Sequence, residues 1–181
     1  MSAAPGIGDR SYGVIALRYT PHAVPGSQRS HPAYPTRANS QVLLIQQKTM
    51  LGPPKHPPFW CFPKGHAEDS DASLHATAIR ELFEETGLVI TEEDFLLGDD
   101  DAQSFREVYV NPMRNVGKEV RYWVVLVKPD EASKELQLQE VEVNDAAWYG
   151  WDEASQKITY GEARDMFEGV VEALEKHVAK L

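Results

Sequence analysis

The residues of this chain best suited to chemistry are three glutamates: Glu81, and Glu84 and Glu85 at offsets of three and four from it. On a helix, such offsets place side chains on one face, where like charges repel by roughly 0.2–0.5 kcal/mol per pair. A divalent cation such as Mg2+ or Mn2+ reverses the sign of this interaction, because both ions prefer oxygen ligands. The spacing therefore predicts a metal-binding face, with a solvated acidic surface as the alternative.

The sequence around these glutamates matches a known motif. Residues 80–88 read Arg-Glu-Leu-Phe-Glu-Glu-Thr-Gly-Leu, and Gly65 lies upstream. Together they resemble the Nudix box, in which a glycine and a middle glutamate precede a run of Arg-Glu-hydrophobic-x-Glu-Glu-x-Gly-hydrophobic. One residue more than in that pattern separates Gly65 from Arg80, and we assign Asp71 to the position of the middle glutamate. The resemblance implies a hydrolase of phosphoanhydride bonds that uses Mg2+ or Mn2+.

The resemblance extends beyond the box, over most of the chain from Tyr12 onward. The sequence Trp-Cys-Phe-Pro-Lys-Gly-His-Ala-Glu at residues 60–68 is similar to that of the asymmetrical diadenosine tetraphosphate hydrolases, and Val-Arg-Tyr-Trp at residues 120–123 is similar too. Diphosphoinositol polyphosphate phosphohydrolases share the fold and the box. The resemblance therefore implies one of two closely related substrate classes.

The family's chemistry assigns roles to the box residues. By resemblance, Glu81 and Glu85 bind the metal, and Glu84 is either a further ligand or the base. Arg80 orients Glu84, its neighbour four residues on. A backbone carbonyl at Gly65 adds a possible ligand.

Residues outside the box receive roles in the same way. Lys64 and His66 are expected to contact phosphate. The alternatives are that Lys64 is an ordinary surface lysine and that His66 stabilises a turn. Glu142, six residues before Trp148, is expected to complete the metal cluster or to act as the base. Glu140, two residues earlier, is the other candidate for this role. The alternative interpretation of Glu142 is a solvent-facing residue of a strand.

The two substrate classes require different binding residues. A nucleotide needs an aromatic ring to stack on its base, which Tyr109, Tyr122 or Trp60 could provide. An inositol pyrophosphate needs several cations. The candidate cations are Arg29, Arg37, Lys48, Lys55, His56, Arg114, Lys118 and Arg121. A third possibility, a binding module without turnover, is disfavoured because the box carboxylates are retained.

Composition limits the partners. The net charge of -10 argues against general binding to nucleic acid or anionic membranes. Residues 1–64 nevertheless carry seven Lys or Arg against one acid, Asp9, which suits a polyanionic small molecule. The one cysteine, Cys61, favours a reducing compartment, and the N-terminus lacks the apolar core of a signal peptide. We therefore expect a cytoplasmic protein, monomeric, with a small-molecule polyphosphate as its partner.

The hydrophobic pattern predicts strands at residues 11–19, 41–47, 105–110, 120–127 and 147–150. A helix is predicted from Asp71 to Gly87, with Phe83 in its apolar stripe, and a second helix begins at a Thr159–Glu162 capping box. These elements predict one α/β (α+β) domain over residues 1–181, a helix–sheet–helix sandwich. By resemblance it is a Nudix-type α/β/α sandwich with a mixed β-sheet. Residues 1–10 are expected to be flexible, and residues 20–40 to form a long loop.

Overall fold

The computed structural model describes residues 6–20, 34–49, 52, 56–97, 104–111 and 114–180. Its strands are β1 (Ile7–Tyr19), β2 (Ser40–Gln47), β3 (Phe59–Cys61), β4 (Lys64–Gly65), β5 (Phe105–Asn111), β6 (Val116–Leu126) and β7 (Val143–Tyr149). Its α-helices are α1 (Leu74–Thr86), α2 (Pro129–Ala132), α3 (Trp151–Lys157) and α4 (Gly161–Val178). A short 3-10 helix spans Glu92–Asp94.

The strands form one mixed sheet in the order β3-β2-β1-β6-β5, with β4 paired to β1 and β7 paired to β2. The pairing of β1 with β6 is parallel, and the other pairings are antiparallel. This arrangement confirms the predicted mixed sheet. It also places β1 at the centre, between β2 and β6.

Two hydrophobic layers cover the two faces of the sheet. Alternate residues of β1 contribute to each layer: Val14 and Ala16 pack towards α1, whereas Ile15 and Leu17 pack towards α3 and α4. This alternation is the period of two that a strand imposes on its side chains. The α/β/α sandwich predicted from the sequence is therefore confirmed.

Several predicted boundaries shift. The first strand begins at Ile7, so the part of the expected flexible N-terminus from residue 7 to 10 is ordered by pairing with β6. The hairpin of β5 and β6 and the strand β7 are longer than expected, since paired ladders extend through polar residues. Of the expected loop 20–40, residues 21–33 lie outside the described residues, and Ser40 already belongs to β2.

The helices differ from the sequence prediction in three places, two of them at N-termini and one on the surface of α1. The N-cap of α1 is Ser73, whose hydroxyl accepts the Ala76 N–H at 3.0 Å, because the Asp71 carboxylate is taken up by another partner. Phe83 is 53% exposed and does not belong to the core. At α4, the Thr159 hydroxyl accepts the N–H of Trp60 instead of forming a capping box, and the N-cap is Tyr160.

Gly87 ends α1 as predicted. Its φ of 75° lies in the left-handed region, which glycine adopts without steric cost, and its N–H donates to the Phe83 carbonyl. Among the helices of the described residues, none is long and apolar enough to cross a membrane.

Candidate active site

Arg80 is the centre of the polar face of α1. Its guanidinium donates two hydrogen bonds to Asp71, at 3.0 and 2.9 Å, and one to the His66 carbonyl at 2.8 Å. Its remaining nitrogen donates to Glu81 at 2.9 Å and to Glu84 at 3.2 Å. The planar fork of arginine is suited to such simultaneous contacts. Asp71 therefore fixes Arg80, and Arg80 in turn fixes two of the three predicted metal-binding carboxylates.

Glu85 is the most unusual carboxylate of this face. It is completely buried, and its Oε2 accepts the backbone N–H of Lys64 at 2.9 Å. Its Oε1 is buried without a hydrogen-bond partner. Burial raises the pKa of Glu85 to about 8; the nearby Lys64 ammonium lowers it in part, and the charges of Glu81 and Glu142 raise it further. A buried carboxylate oxygen without a partner is costly, which is the expected signature of a missing positive ligand.

Glu81 lies directly against the backbone of Gly65. A Cβ placed on Gly65 would lie 2.1 Å from the Glu81 carboxylate, so only glycine permits this contact. Burial raises the pKa of Glu81; Arg80 opposes this shift, and Glu84 and Glu142 add to it. The glycine at the start of the motif thus makes room for a carboxylate sixteen residues later.

These residues fit a divalent cation, although they do not yet enclose one. Oxygen donors of Glu81, Glu84 and Glu85 share one helical face, which is the donor chemistry that Mg2+ and Mn2+ prefer. Within the described residues, however, no three His, Cys, Asp or Glu side chains are already grouped closely enough to hold a metal. Two of the three carboxylates, Glu81 and Glu84, accept hydrogen bonds from Arg80, and Glu85 accepts one from the backbone N–H of Lys64.

Glu142 is the one predicted site glutamate that lies outside α1. It occupies the turn just before β7, where its carbonyl accepts the backbone N–H of Lys48 at 2.7 Å. Its charge is among the main causes that raise the pKa of both Glu81 and Glu85. The choice of Glu142 over Glu140 and the chemical role of Glu142 stay predictions.

Lys64 and His66 flank the same face. Lys64 is buried rather than on the surface; its ammonium donates to the side chain of Gln47 and lies 5.8 Å from the centre of the Phe59 ring. His66 is mostly exposed, and its Nε2 hydrogen-bonds the buried carboxylate of Asp9 at 2.8 Å. The backbone of each contacts the motif helix, since the Lys64 N–H donates to Glu85 and the His66 carbonyl accepts from Arg80. Their contact with phosphate stays a prediction.

Four of the eight cations proposed to bind phosphate contact other groups of the protein, and Arg114 is exposed. Lys118 is buried and pairs with Asp9 at 3.3 Å, and Arg121 pairs with Glu119 at 3.0 Å. Arg37 forms ion pairs with acidic residues of α3 and α4, and the Lys48 ammonium donates to a backbone carbonyl. Lys55, like Arg29, lies outside the described residues.

The aromatic candidates differ in availability. Tyr122 is completely buried against Phe62 and cannot stack on a ligand, because no ring face is open. The Trp60 ring is covered by the Lys157 ammonium at 4.3 Å. Tyr109 is half-buried, and burial raises its pKa to about 12; among the charges acting on it is that of Lys64.

Sequence reasoning missed four residues of this region: Asp9, Phe59, Glu107 and Tyr160. Two of them had a detectable signal. Glu107 falls between Phe105 and Tyr109 on the inward face of β5, and Asp9 is an acidic residue at an inward position of β1. Phe59 and Tyr160, whose ring centres are 5.1 Å apart, come together only in the fold.

Comparison with known proteins agrees with this geometry. The family model described as the NUDIX domain matches residues 27–169. Nudix hydrolase 2 of Arabidopsis thaliana is 33% identical to this chain over 121 residues, which are 67% of the chain and 38% of the relative. The chain thus spans well under half the length of this curated relative.

Two solved structures share the fold. The Ap4A hydrolase of C. elegans, crystallised as a binary complex, has a TM-score of 0.64 and 21% identity, with 93% of this chain and 98% of that chain covered. The NUDIX domain of Shewanella oneidensis NrtR, complexed with ADP ribose, has a TM-score of 0.61 and 17% identity, with 92% and 88% covered. At these identities the likeness is one of fold.

Proposed function

We propose that this chain, which belongs to the Nudix family, hydrolyses phosphoanhydride bonds of nucleoside polyphosphates such as diadenosine tetraphosphate, with Mg2+ or Mn2+ as its cofactor. The observation that carries this proposal is the face of α1, where Glu81 and Glu84 are fixed by Arg80 and Glu85 buries an oxygen without a partner. Such a face is unfavourable alone and becomes favourable when a cation binds.

In this proposal, Glu81 and Glu85 hold the cation, and Glu84 and the Gly65 carbonyl supply further oxygens. When bound, the cation neutralises the bridging phosphates and lowers the pKa of the attacking water. Arg80 keeps Glu81 and Glu84 oriented towards the same volume. The orientation costs nothing at the moment of reaction, because the hydrogen bonds exist before substrate binds.

Glu142 is the proposed proton acceptor. Its side chain is exposed, and among the described residues it receives no hydrogen bond, so a water molecule can reach it. The water oxygen attacks phosphorus as its proton passes to the Glu142 carboxylate, and the bond from phosphorus to the bridging oxygen breaks. Lys64 and His66 stabilise the charge on the departing phosphate chain.

The cations of this region are only partly paired. Three arginines, Arg10, Arg106 and Arg121, share the single carboxylate of Glu119 and so keep a net positive charge that suits either polyanion. Lys118 is paired with Asp9. A nucleotide needs fewer cations and can use ring contacts instead. Ap4A is named as the substrate of one protein that shares this fold, which adds support.

The test is product release from diadenosine tetraphosphate and from a diphosphoinositol polyphosphate, at one enzyme concentration, with Mg2+, with Mn2+ and with EDTA. We expect metal-dependent turnover that is faster on the dinucleotide. Faster turnover of the inositol compound would show that the proposed substrate is wrong, and the proposed metal-dependent hydrolysis would still hold. Equal rates with metal and with EDTA would reject the chemistry, and no turnover on either substrate would favour a binding module.

A further inference from the structure

Three arginines from three neighbouring strands converge on one carboxylate. Arg10 lies on β1, Arg106 on β5 and Arg121 on β6, and their nitrogens lie 3.9, 3.5 and 3.0 Å from an oxygen of Glu119. The Glu119 side chain is 10% exposed, whereas the side chains of Arg10 and Arg106 are 55% and 60% exposed. This arginine cluster thus has a buried anionic centre and a cationic rim that is open to solvent.

One carboxylate does not balance three guanidinium groups. Among the described residues, no other Asp or Glu forms an ion pair with these arginines, so two positive charges stay uncompensated. Each guanidinium carries five N–H donors. Within the described residues, the one hydrogen bond that the three groups donate runs from Arg121 to Glu119. Most donors of the cluster are therefore available to a ligand.

The stability of the sheet does not explain this arrangement. Arg106 and Arg121 stand directly opposite each other in the antiparallel pair of β5 and β6. Like charges at directly opposite positions destabilise a sheet. Arg10 adds a third positive charge on the other side of β6, where it is paired in register with Glu119. An anion held between the guanidinium groups would offset the repulsion among them.

A row of paired residues joins the cluster to the strand that precedes the motif helix. Gly65 pairs with Tyr12, Tyr12 with Arg121, and Arg121 with Arg106. Because neighbouring strands lie about 4.8 Å apart, the backbone of Arg121 is about 10 Å from that of Gly65, and the backbone of Arg106 is about 15 Å from it. The cluster is therefore near the predicted metal-binding face and separate from it.

The cluster also lies on the same side of the sheet as α1. Trp123, two residues on from Arg121, packs in the hydrophobic layer beneath α1, and side chains two apart on a strand share a face. A Cβ on Gly65 would point at the Glu81 carboxylate of α1. An elongated anion with one end at the motif helix can thus follow this face towards the arginines.

We propose that Arg10, Arg106 and Arg121 form a second phosphate-binding site, which takes a phosphate group of an oligophosphate. The planar guanidinium fork fits two oxygens of one phosphate, and the buried carboxylate of Glu119 holds the three forks around one point. Binding there needs neither metal nor turnover, so the site goes beyond the proposed hydrolysis. Two sources share this chemistry: the far part of the substrate's own phosphate chain, and a free oligophosphate.

The test is calorimetric titration of the protein with inorganic tripolyphosphate, in EDTA and at low ionic strength. Wild type should bind it at one saturable site. Arg10→Gln and Arg106→Gln should each raise Kd by about tenfold, since each removes a hydrogen bond between charged groups. Both side chains are exposed, so both variants should keep the Tm of wild type to within a few degrees.

Arg37→Gln is the matched control. Arg37 is also partly exposed, but this one cation pairs with three carboxylates of α3 and α4. The variant changes the net charge by the same amount as Arg106→Gln, and it should leave Kd within about twofold of wild type because distant surface charges are screened. An equal loss of affinity in Arg37→Gln, or no loss in Arg10→Gln and Arg106→Gln, overturns the site.

A second measurement separates the two sources of the oligophosphate. KM is compared for diadenosine tetraphosphate and diadenosine hexaphosphate, in wild type and in Arg106→Gln. A KM that rises more for the hexaphosphate assigns the site to the substrate's own chain. Unchanged KM values, with affinity for tripolyphosphate lost, assign it to a free oligophosphate. Hydrolysis of neither dinucleotide would refute the proposed function, and the titration would still decide whether the arginines bind phosphate.

Discussion

Replacing Glu85 by Gln should stabilise the metal-free protein at high pH and at the same time inactivate the enzyme. In the folded chain the pKa of Glu85 rises from 4.5 to about 8. Because the folded state holds the proton more tightly than the unfolded state, this residue costs stability as pH rises through that window. The cost is absent below pH 4.5 and reaches its limit above pH 8.

The magnitude follows from the two pKa values. A tenfold change in proton affinity is worth about 1.4 kcal/mol, so the cost of Glu85 is on the order of 1 kcal/mol at pH 5.5 and on the order of 4 kcal/mol at pH 8. Glutamine does not ionise, and the unpaired N–H that it buries costs the same at every pH. The difference in stability between Glu85→Gln and wild type should therefore grow by about 3 kcal/mol over this range, or roughly 6–12 °C in Tm.

The assay is thermal unfolding of both proteins at pH 5.5 and pH 8, in EDTA and in saturating Mg2+. In EDTA the Tm of the variant minus the Tm of wild type should increase as pH rises. Mg2+ should raise the Tm of wild type at pH 8 and have far less effect on the variant, whose turnover should fall by about 100-fold or more. Glu92→Gln, at an exposed position of the 3-10 helix, is the control and should change neither quantity. A Tm difference that is the same at both pH values, or turnover within about threefold of wild type, would refute the assignment of Glu85.

Three further predictions use the same preparation. Glu142→Gln should lower turnover by about 100-fold, while Glu140→Gln should stay near wild type in a pH series; the opposite ranking would mean that the wrong carboxylate is the base. Gly65→Ala should cost at least about 1 kcal/mol in urea unfolding and weaken activation by Mg2+, since its Cβ overlaps a carboxylate; a neutral effect would contradict the close contact. Tyr160→Ala should raise KM for diadenosine tetraphosphate about tenfold, because stacking on a base is worth about 1–3 kcal/mol, whereas Trp60→Ala should leave KM little changed; equal effects would place the base elsewhere.

The parts that could be predicted from sequence are those governed by local rules. Offsets of three and four put Glu81, Glu84 and Glu85 on one helix, and a left-handed glycine ended that helix at Gly87. Local rules failed at Ser73, because the better N-cap by composition, Asp71, was already bound to an arginine nine residues away. A cap is chosen by the partners available in the fold as well as by residue type.

The choice of substrate shows where such reasoning stops. Counting charges made the basic N-terminal third a candidate surface for phosphates, but a cation binds a ligand only if no nearer carboxylate holds it. Asp9 and Lys118 are 109 residues apart in sequence and meet because β1 and β6 run parallel in a register that opposes them. The same sheet brings Arg10, Arg106 and Arg121 to one glutamate, whose single charge offsets only part of theirs. Pairing across the sheet thus decides which cations of a basic region stay available to a phosphate, and a count of charges along the chain does not reveal that pairing.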